Sequence, residues 1–360
     1  MTAISAVRPL LAKAWRGTKR IVRGTNPAPV ILMYHRIAAP AFDPWGLCVA
    51  PDRFADQMAA IKARRTVMAM DDLVDALAQG TVPPRATAIT FDDGYADNAT
   101  LAKPVLERLG LPATVFLTTG NVETGAPFWW DELATLVLGS SDAADVELTV
   151  AGLRLSAQWS AQWSARGSAH GSAHGSAEPA MPPDVAQWRV GARHPSERQR
   201  AYERLWTQLQ ELDPDQRVAA MDALRGRLAP ADRAGPPPND GPMTASMVHD
   251  AVSPLFRFGA HAMHHTPLTA LPPEQRRAEV EGSRAAVSAL VGGGAVSGFA
   301  YPHGQWNADV RALVGQAGYR WAVTTERKDI DPRRHDVLAL PRLAVGDWSG
   351  ARLLAAIDGL

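Results

Sequence analysis

From residue 29 onward, short apolar runs alternate with stretches whose apolar residues recur at helical spacing. Val30-Ile31-Leu32-Met33-Tyr34 reads as a buried strand, since a continuous apolar run this short hides both faces of a pleat. Pro51 to Arg65 follows with Phe54, Met58 and Ile61 along one face of a helix. Thr87 to Phe91 is the next strand, and the helix after it carries Leu101, Val105 and Leu109 and stops at Gly110. Pro104 starts or kinks that helix. Ala113 to Leu117 is another strand. The rhythm resumes with strands at Leu255 to Phe258, Val296 to Tyr301 and Trp321 to Thr324, helices near 273–291 and 307–317, a run from Leu338 to Val345, and a closing helix near 349–358. Strands alternating with helices imply a parallel sheet with right-handed crossovers. Seven or eight such units predict a closed or nearly closed α/β barrel.

Residues 121–254 break this rhythm. Ser156-Ala157-Gln158-Trp159 is repeated directly at 160–163, and the Gly-Ser-Ala-His of 167–170 is repeated at 171–174. Such composition buries too little apolar area to offset chain entropy, which predicts a flexible linker near 156–180. Phe128 to Leu138 and Arg198 to Leu228 have helical patterns, so the insertion is expected to be largely helical; Gly235-Pro236-Pro237-Pro238 breaks the chain before the barrel resumes. His170 and His174 are four apart, but a Gly/Ser-rich repeat has no fixed backbone to bring them to one ion.

The first 28 residues form a separate basic arm, with Arg8, Lys13, Arg16, Lys19, Arg20 and Arg23 and no acidic residue before Asp43. Ile4, Val7, Leu10, Leu11 and Trp15 recur at helical spacing. A helix of this kind suits peripheral contact with an anionic membrane, or docking on the protein as a helix or mobile arm. The basic residues leave no apolar core for a secretory signal, which places the expected location in the cytoplasm, with the membrane surface as the alternative. No apolar run reaches 18 residues, so no spanning helix is expected.

The chain of 360 residues leaves about 110 once a barrel of about 250 is subtracted, in keeping with one barrel and one insertion. The 37 basic and 37 acidic side chains balance, which argues against a nucleic-acid partner. Cys48 is the only cysteine, so an intramolecular disulfide and a thiolate metal cluster are both excluded. Any metal must be held by histidines and carboxylates.

Thr90-Phe91-Asp92-Asp93-Gly94 sets two adjacent carboxylates at the end of an apolar strand, where parallel α/β folds place their sites. Adjacent residues there point in different directions, so one carboxylate can bind a metal while its neighbour stays free as a base. A helix cap by Asp93 or Asp97 is the structural alternative. His261, His264 and His265 follow another strand end. On one helical turn His261 and His265 would share a face; His264, three from His261, is a rival second ligand. Two imidazoles and one carboxylate with an open position make a hydrolytic metal site.

These motifs resemble those of the polysaccharide deacetylase family, the nodulation-type carbohydrate esterases. Thr-Phe-Asp-Asp-Gly stands at 90–94, the family's His-(Ser/Thr)-x-x-His corresponds to His261-Ala262-Met263-His264-His265, and its Arg-x-Pro-Tyr-Gly segment corresponds to Ala300-Tyr301-Pro302-His303-Gly304. Leu32-Met33-Tyr34-His35-Arg36-Ile37 resembles the family branch that opens with Met-Tyr-His. The resemblance covers about 29–120 and 255–350. It implies a distorted (β/α)7–8 barrel, extending over 29–120 and 255–360, interrupted by the insertion. It also implies Asp93, His261 and His265 as metal ligands, Asp92 as general base, and the His303 backbone N–H as an oxyanion donor. Zn²⁺ is the default ion, with Co²⁺, Ni²⁺ or Fe²⁺ as alternatives.

The chain departs from the family pattern at several points. The Arg that orients the base is replaced by Ala300, the Ser/Thr that braces the histidine loop by Ala262, and no Leu-x-His segment supplies a general acid. His35 and His303 are the available acids, while Arg342 could brace a carboxylate bidentately but cannot give up a proton. Tyr34 and Tyr301 are expected as walls of the cleft, and Tyr301, Pro302, Gly304 and Trp306 as substrate contacts. Trp129 and Trp130, beside Phe128 and Asp131, would either stack on sugar rings or anchor the insertion, and Trp306 and Trp348 share that ambiguity. The expected activity is metal-dependent N-deacetylation of an amino sugar in a polysaccharide, oligosaccharide or lipid-linked glycan. The alternatives are a non-catalytic glycan-binding relative and a deformylase of a lipid-linked amino sugar.

Overall fold

The structure is a computed structural model that describes residues 28–139, 144–150, 152–160, 187–228 and 241–360. The basic arm to residue 27 and the repeats at 161–174, with His170 and His174, lie outside the described residues.

Strand β1 (Val30–Tyr34) is buried at all five positions, as its unbroken apolar run requires. Helix α1 (Pro51–Arg64) starts on a proline and buries Phe54, Met58 and Ile61. The short β2 (Thr66–Val67) leads to α2 (Met70–Gln79), which buries Leu73, Val74 and Leu77 and ends on Gly80 in the left-handed conformation. Strand β3 (Ala86–Phe91) follows, then a π-helical turn Asn98–Ala102 that runs into α3 (Lys103–Leu109), where Pro104 occupies the first turn. Strand β4 (Ala113–Leu117), α4 (Thr119–Thr124) and α5 (Trp129–Leu138) lead into the hairpin β5 (Ala144–Val150) and β6 (Leu153–Trp159). Helices α6 (Glu197–Gln210), α7 (Pro214–Leu228) and α8 (Ala245–Ala251) return the chain to the barrel. It finishes with β7 (Phe256–Ala260), α9 (Pro273–Leu290), β8 (Gly298–Ala300), α10 (Ala308–Gln316), β9 (Trp321–Val323), β10 (Leu343–Ala344) and α11 (Gly350–Asp358).

The large sheet has the order β10-β1-β3-β4-β7-β8-β9, with β2 beside β3, and every pairing is parallel. Residues 337–345 join its two ends. Ala322 N donates to Val337 O, Leu340 N to Ala322 O and Thr324 N to Leu340 O, after which Val345 N donates to Met33 O. One irregular segment therefore bonds β9 on one side and β1 on the other, which makes a distorted (β/α) barrel as expected. Its core gathers Leu32, Ile89, Val115, Phe256 and Phe299 with the inner faces of the helices, each side chain contributing about 1.5–3 kcal/mol by leaving water.

The insertion has its own apolar cluster, formed by Leu133 and Val137 of α5, Val146, Leu155 and Trp159 of the hairpin, and Tyr202, Leu205 and Leu224 of α6 and α7. Two expectations shift. The segment Ser156–Trp159, placed in the linker, is strand in β6 and pairs with β5, so the largely helical insertion also holds one antiparallel hairpin. Val122, Met243, Val248 and Ala251 pack in the barrel core, which narrows the insertion at both ends.

Candidate active site

Six chain segments deliver polar side chains to the carboxyl ends of the parallel strands. Asp92 and Asp93 follow β3, His35 and Arg36 follow β1, His261 follows β7, Tyr301 to Gly304 follow β8, Thr324 follows β9, and Arg342 lies just before β10. The strand ladders extend into the site, with Asp92 N donating to Tyr34 O (2.9 Å) and His261 N to Leu117 O (2.9 Å). The turn after β4 ties the two halves together: Thr118 N donates to Asp93 O, Thr119 N to Ala262 O and Gly120 N to Met263 O. Gly120 is required there, because a Cβ would lie 2.8 Å from Met263 O.

The Asp93 carboxylate points between two imidazoles. Its Oδ1 lies 3.6 Å from His261 Nε2 and 3.5 Å from His265 Nε2, beyond hydrogen-bond reach, and it is a buried atom without a hydrogen-bond partner. One ligand atom from each of the three residues falls within 4.8 Å of the others. Burial, with the Asp92 charge adding to it, pushes the Asp93 carboxyl well above its ordinary range. Burial also lowers both imidazoles, so they are neutral with lone pairs available. His261 Nδ1 lies 2.8 Å from the Ala300 carbonyl, which can only accept; the proton is therefore on Nδ1 and the Nε2 lone pair faces Asp93. An orphaned buried carboxylate oxygen between two neutral imidazoles fits a divalent cation.

His261 and His265 converge from an irregular loop rather than the helical turn expected. Ala262 (φ 61°) and His265 (φ 51°) both adopt the left-handed conformation, as do Asp93 (φ 71°) and His303 (φ 56°). His264 turns away and is 42% exposed, with Nδ1 on Glu279 Oε1 at 2.6 Å. Glu279 Oε2 also accepts from Met263 N (2.8 Å) and His264 N (3.0 Å). This carboxylate on α9 braces the loop that Ala262 cannot brace, and no short motif marks it in the sequence.

Asp92 is held separately. Arg342 Nη1 donates to its Oδ1 (2.7 Å) and Nη2 to its Oδ2 (2.6 Å), in the bidentate manner expected from the sequence. Arg342 is itself fixed by the Thr324 carbonyl and the Thr90 hydroxyl. Position 300, where the resemblance expects an arginine, is alanine and offers no such donor. Burial alone would raise the Asp92 carboxyl, but the Arg342 charge and the hydrogen bonds Arg342 donates outweigh it and bring the pKa to about 2. His35 Nε2 and His261 Nε2 each lie 4.0 Å from Asp92 Oδ2. Burial lowers His35 to about 4, with Asp92 opposing. His303 is likewise lowered by burial to about 4, and its Nε2 lies 3.2 Å from the His265 carbonyl.

Several expected substrate contacts are structural instead. Tyr301 is 0% exposed and donates its hydroxyl to Leu338 O; Pro302 is buried beside it. Tyr34 is buried with its hydroxyl on Gln57 Oε1. Neither tyrosine lines a cleft, because each ring fills the barrel core and its polar end is satisfied there. Trp306 stacks on Tyr301 at 6.2 Å and is half-buried. Gly304 (φ 67°) would place a Cβ 1.9 Å from Thr325 Oγ1, so its role is to let the turn close. Trp130 anchors the insertion: its Nε1 donates to the Tyr95 hydroxyl, and its ring lies 4.8 Å from that of His265. Trp206, unremarked in the sequence, reaches His303 from α6 at 6.0 Å.

A parallel barrel that gathers two imidazoles and a carboxylate at its strand ends, with a second carboxylate locked on an arginine, has the framework of a hydrolytic α/β-barrel enzyme. Residues 79–144 and 243–322, less than half of the chain, match the model of the polysaccharide deacetylase family. His35, Arg342 and most of the insertion lie outside the matched residues. Among solved structures, it is similar to the Streptococcus pyogenes deacetylase PplD in complex with acetate, at 17% identity over 92% of this chain and 99% of that one, with a TM-score of 0.56. It is also similar to BC0361, a polysaccharide deacetylase from Bacillus cereus, at 16% identity over 92% of this chain and 69% of that one, with a TM-score of 0.53. A de-N-acetylase from Aggregatibacter actinomycetemcomitans aligns at 13% identity over 91% and 99% of the two chains, with a TM-score of 0.52. No curated protein sequence matches the chain.

Proposed function

We propose that the protein removes N-acetyl groups from amino sugars of a polysaccharide, oligosaccharide or lipid-linked glycan, consuming water and releasing acetate and a free amine. The observation that carries this is the Asp92–Arg342 pair: an ionised carboxylate held at the rim of the Asp93–His261–His265 cluster and not part of it. A site that only bound sugar would have no use for such a charge. The family match and the deacetylase relatives support the same chemistry.

Asp93, His261 and His265 would hold the divalent cation, and their donor set suits Zn²⁺ first, then Co²⁺, Ni²⁺ or Fe²⁺. Bound there, such an ion would polarise the amide carbonyl and lower the pKa of water. Asp92 accepts the proton of the attacking water at Oδ2, the oxygen that faces His35 and His261. Arg342 keeps that carboxylate ionised and fixes its plane. His35, 4.0 Å from the same oxygen, is the better placed of the two histidines to carry that proton on from Asp92 to the leaving amine, since the His265 carbonyl already engages His303 Nε2. The His303 backbone N–H, on the left-handed turn after β8, is the donor for the tetrahedral oxyanion.

The test is release of acetate or formate from acetylated chito-oligosaccharides and lipid-linked amino sugars by metal-loaded protein. Acetate release supports the proposal. Formate alone would replace it with deformylation, and sugar binding without either acid would replace it with a non-catalytic glycan-binding role. The ligand set has its own check by elemental analysis. His261→Ala is expected to lose stoichiometric metal and His264→Ala to keep it; full occupancy in the first would dismiss the assignment.

A further inference from the structure

The two metal-site imidazoles are oriented differently. His261 donates Nδ1–H to the Ala300 carbonyl, the usual way a ligating histidine is aimed. His265 Nδ1 is buried and has no hydrogen-bond partner, so its ring must be aimed by other means. Those means come from the segment that interrupts the family match between 144 and 243.

Arg217 of α7 is 4% exposed, and its guanidinium lies over the Trp129 ring at 5.3 Å. It donates from Nε to Leu209 O (3.0 Å) and from Nη2 to Leu212 O (2.8 Å), both within the insertion. The third donation, from Nη1 to His264 O at 3.4 Å, crosses to the histidine loop. That carbonyl belongs to the peptide joining His264 to His265, and the N–H of His264 is already on Glu279. The residue before the ligand is thus held from both sides, by the barrel through Glu279 and by the insertion through Arg217. Trp130 lies against the His265 ring, and Trp206 packs on His303, which lies 4.3 Å from that same ring.

We propose that the insertion is part of the metal-binding apparatus, with Arg217 as the positioning residue that fixes the His264–His265 peptide and so aims His265. This rests on His261, His265 and Asp93 being the ligands. Removing a contact that aims a ligand typically costs about 10–100-fold in metal affinity.

The experiment titrates full-length protein with Co²⁺ and follows its visible absorption, comparing wild type, Arg217→Met, Arg217→Lys and His261→Ala. Methionine keeps the apolar stem and loses every donor; lysine keeps the charge. Arg217→Met is expected to bind Co²⁺ about 10–100-fold more weakly with an altered spectrum, and Arg217→Lys to recover part of both. A general loss of stability would not change the spectrum of the loaded site. If Arg217→Met melts cooperatively and binds Co²⁺ with wild-type affinity and spectrum while His261→Ala does not bind, the clamp is refuted and the ligand set stands. If wild type binds no better than His261→Ala, the ligand set itself fails. Should Arg217→Met not fold, Arg217→Lys is judged by the same two readouts: weaker binding with a changed spectrum supports the clamp, and wild-type values refute it.

Discussion

Asp92→Asn is expected to lower acetate release by about 10²–10⁴-fold while leaving stoichiometric metal in place, because asparagine cannot take the proton and is not among the three ligands. The variant also changes stability with a defined sign. The Asp92 carboxyl sits at about 2, below its ordinary 3.8. A depressed carboxylate stabilises the fold fully above about pH 4 and loses that contribution as pH falls through about 2, an amount of about 2 kcal/mol. Asparagine forfeits it at neutral pH and leaves the Arg342 charge buried without its counter-ion, at a cost of about 3–5 kcal/mol. Thermal unfolding and metal content are therefore measured beside turnover. A folded, metal-loaded Asp92→Asn protein with wild-type turnover would remove Asp92 as the base.

Arg342→Met reverses the electrostatics from the other partner. Losing an adjacent guanidinium raises a carboxyl by about 1–3 pH units, and burial, no longer opposed, pushes in the same direction. The base works only when ionised, so a higher pKa means that activity fails at a higher pH as the solution is acidified. The acid limb of kcat/KM is expected to move upward by about 1–3 units, and stability to fall by about 3–5 kcal/mol through the unpaired carboxylate. The double variant Asp92→Asn with Arg342→Met should be less destabilised than the two single losses added together, because the pair disappears as a unit. An acid limb that stays put in a folded Arg342→Met protein would show that this arginine does not set the charge of Asp92.

The residues legible in the sequence are those whose neighbours in the chain announce them. Asp92 and Asp93 end a buried strand, His261 begins the residues after another, and both positions read directly from apolar runs. Barrel architecture was legible for the same reason, since each strand is a short run bounded by breakers. Arg342 could be recognised only as a capable side chain, because its partner lies 250 residues away. Glu279 and Arg217 were illegible: each acts on backbone atoms of the histidine loop, which carry no residue-specific signal. Tyr301 misled because it occupies a motif position, whereas its ring fills core volume and its hydroxyl meets a carbonyl there. Repetition marks Trp159 as linker, yet it is buried on the paired hairpin.

The irregular segment between β9 and β1 carries Arg342, so ring closure and charging of the base are a single event. Among the described residues, Arg342 alone donates to both oxygens of Asp92. A ribosome-bound nascent chain, or one clipped by a protease ahead of that point, would own both carboxylates and both imidazoles and still be silent. Maturation of the hydrolytic centre thereby waits until the chain has passed residue 342.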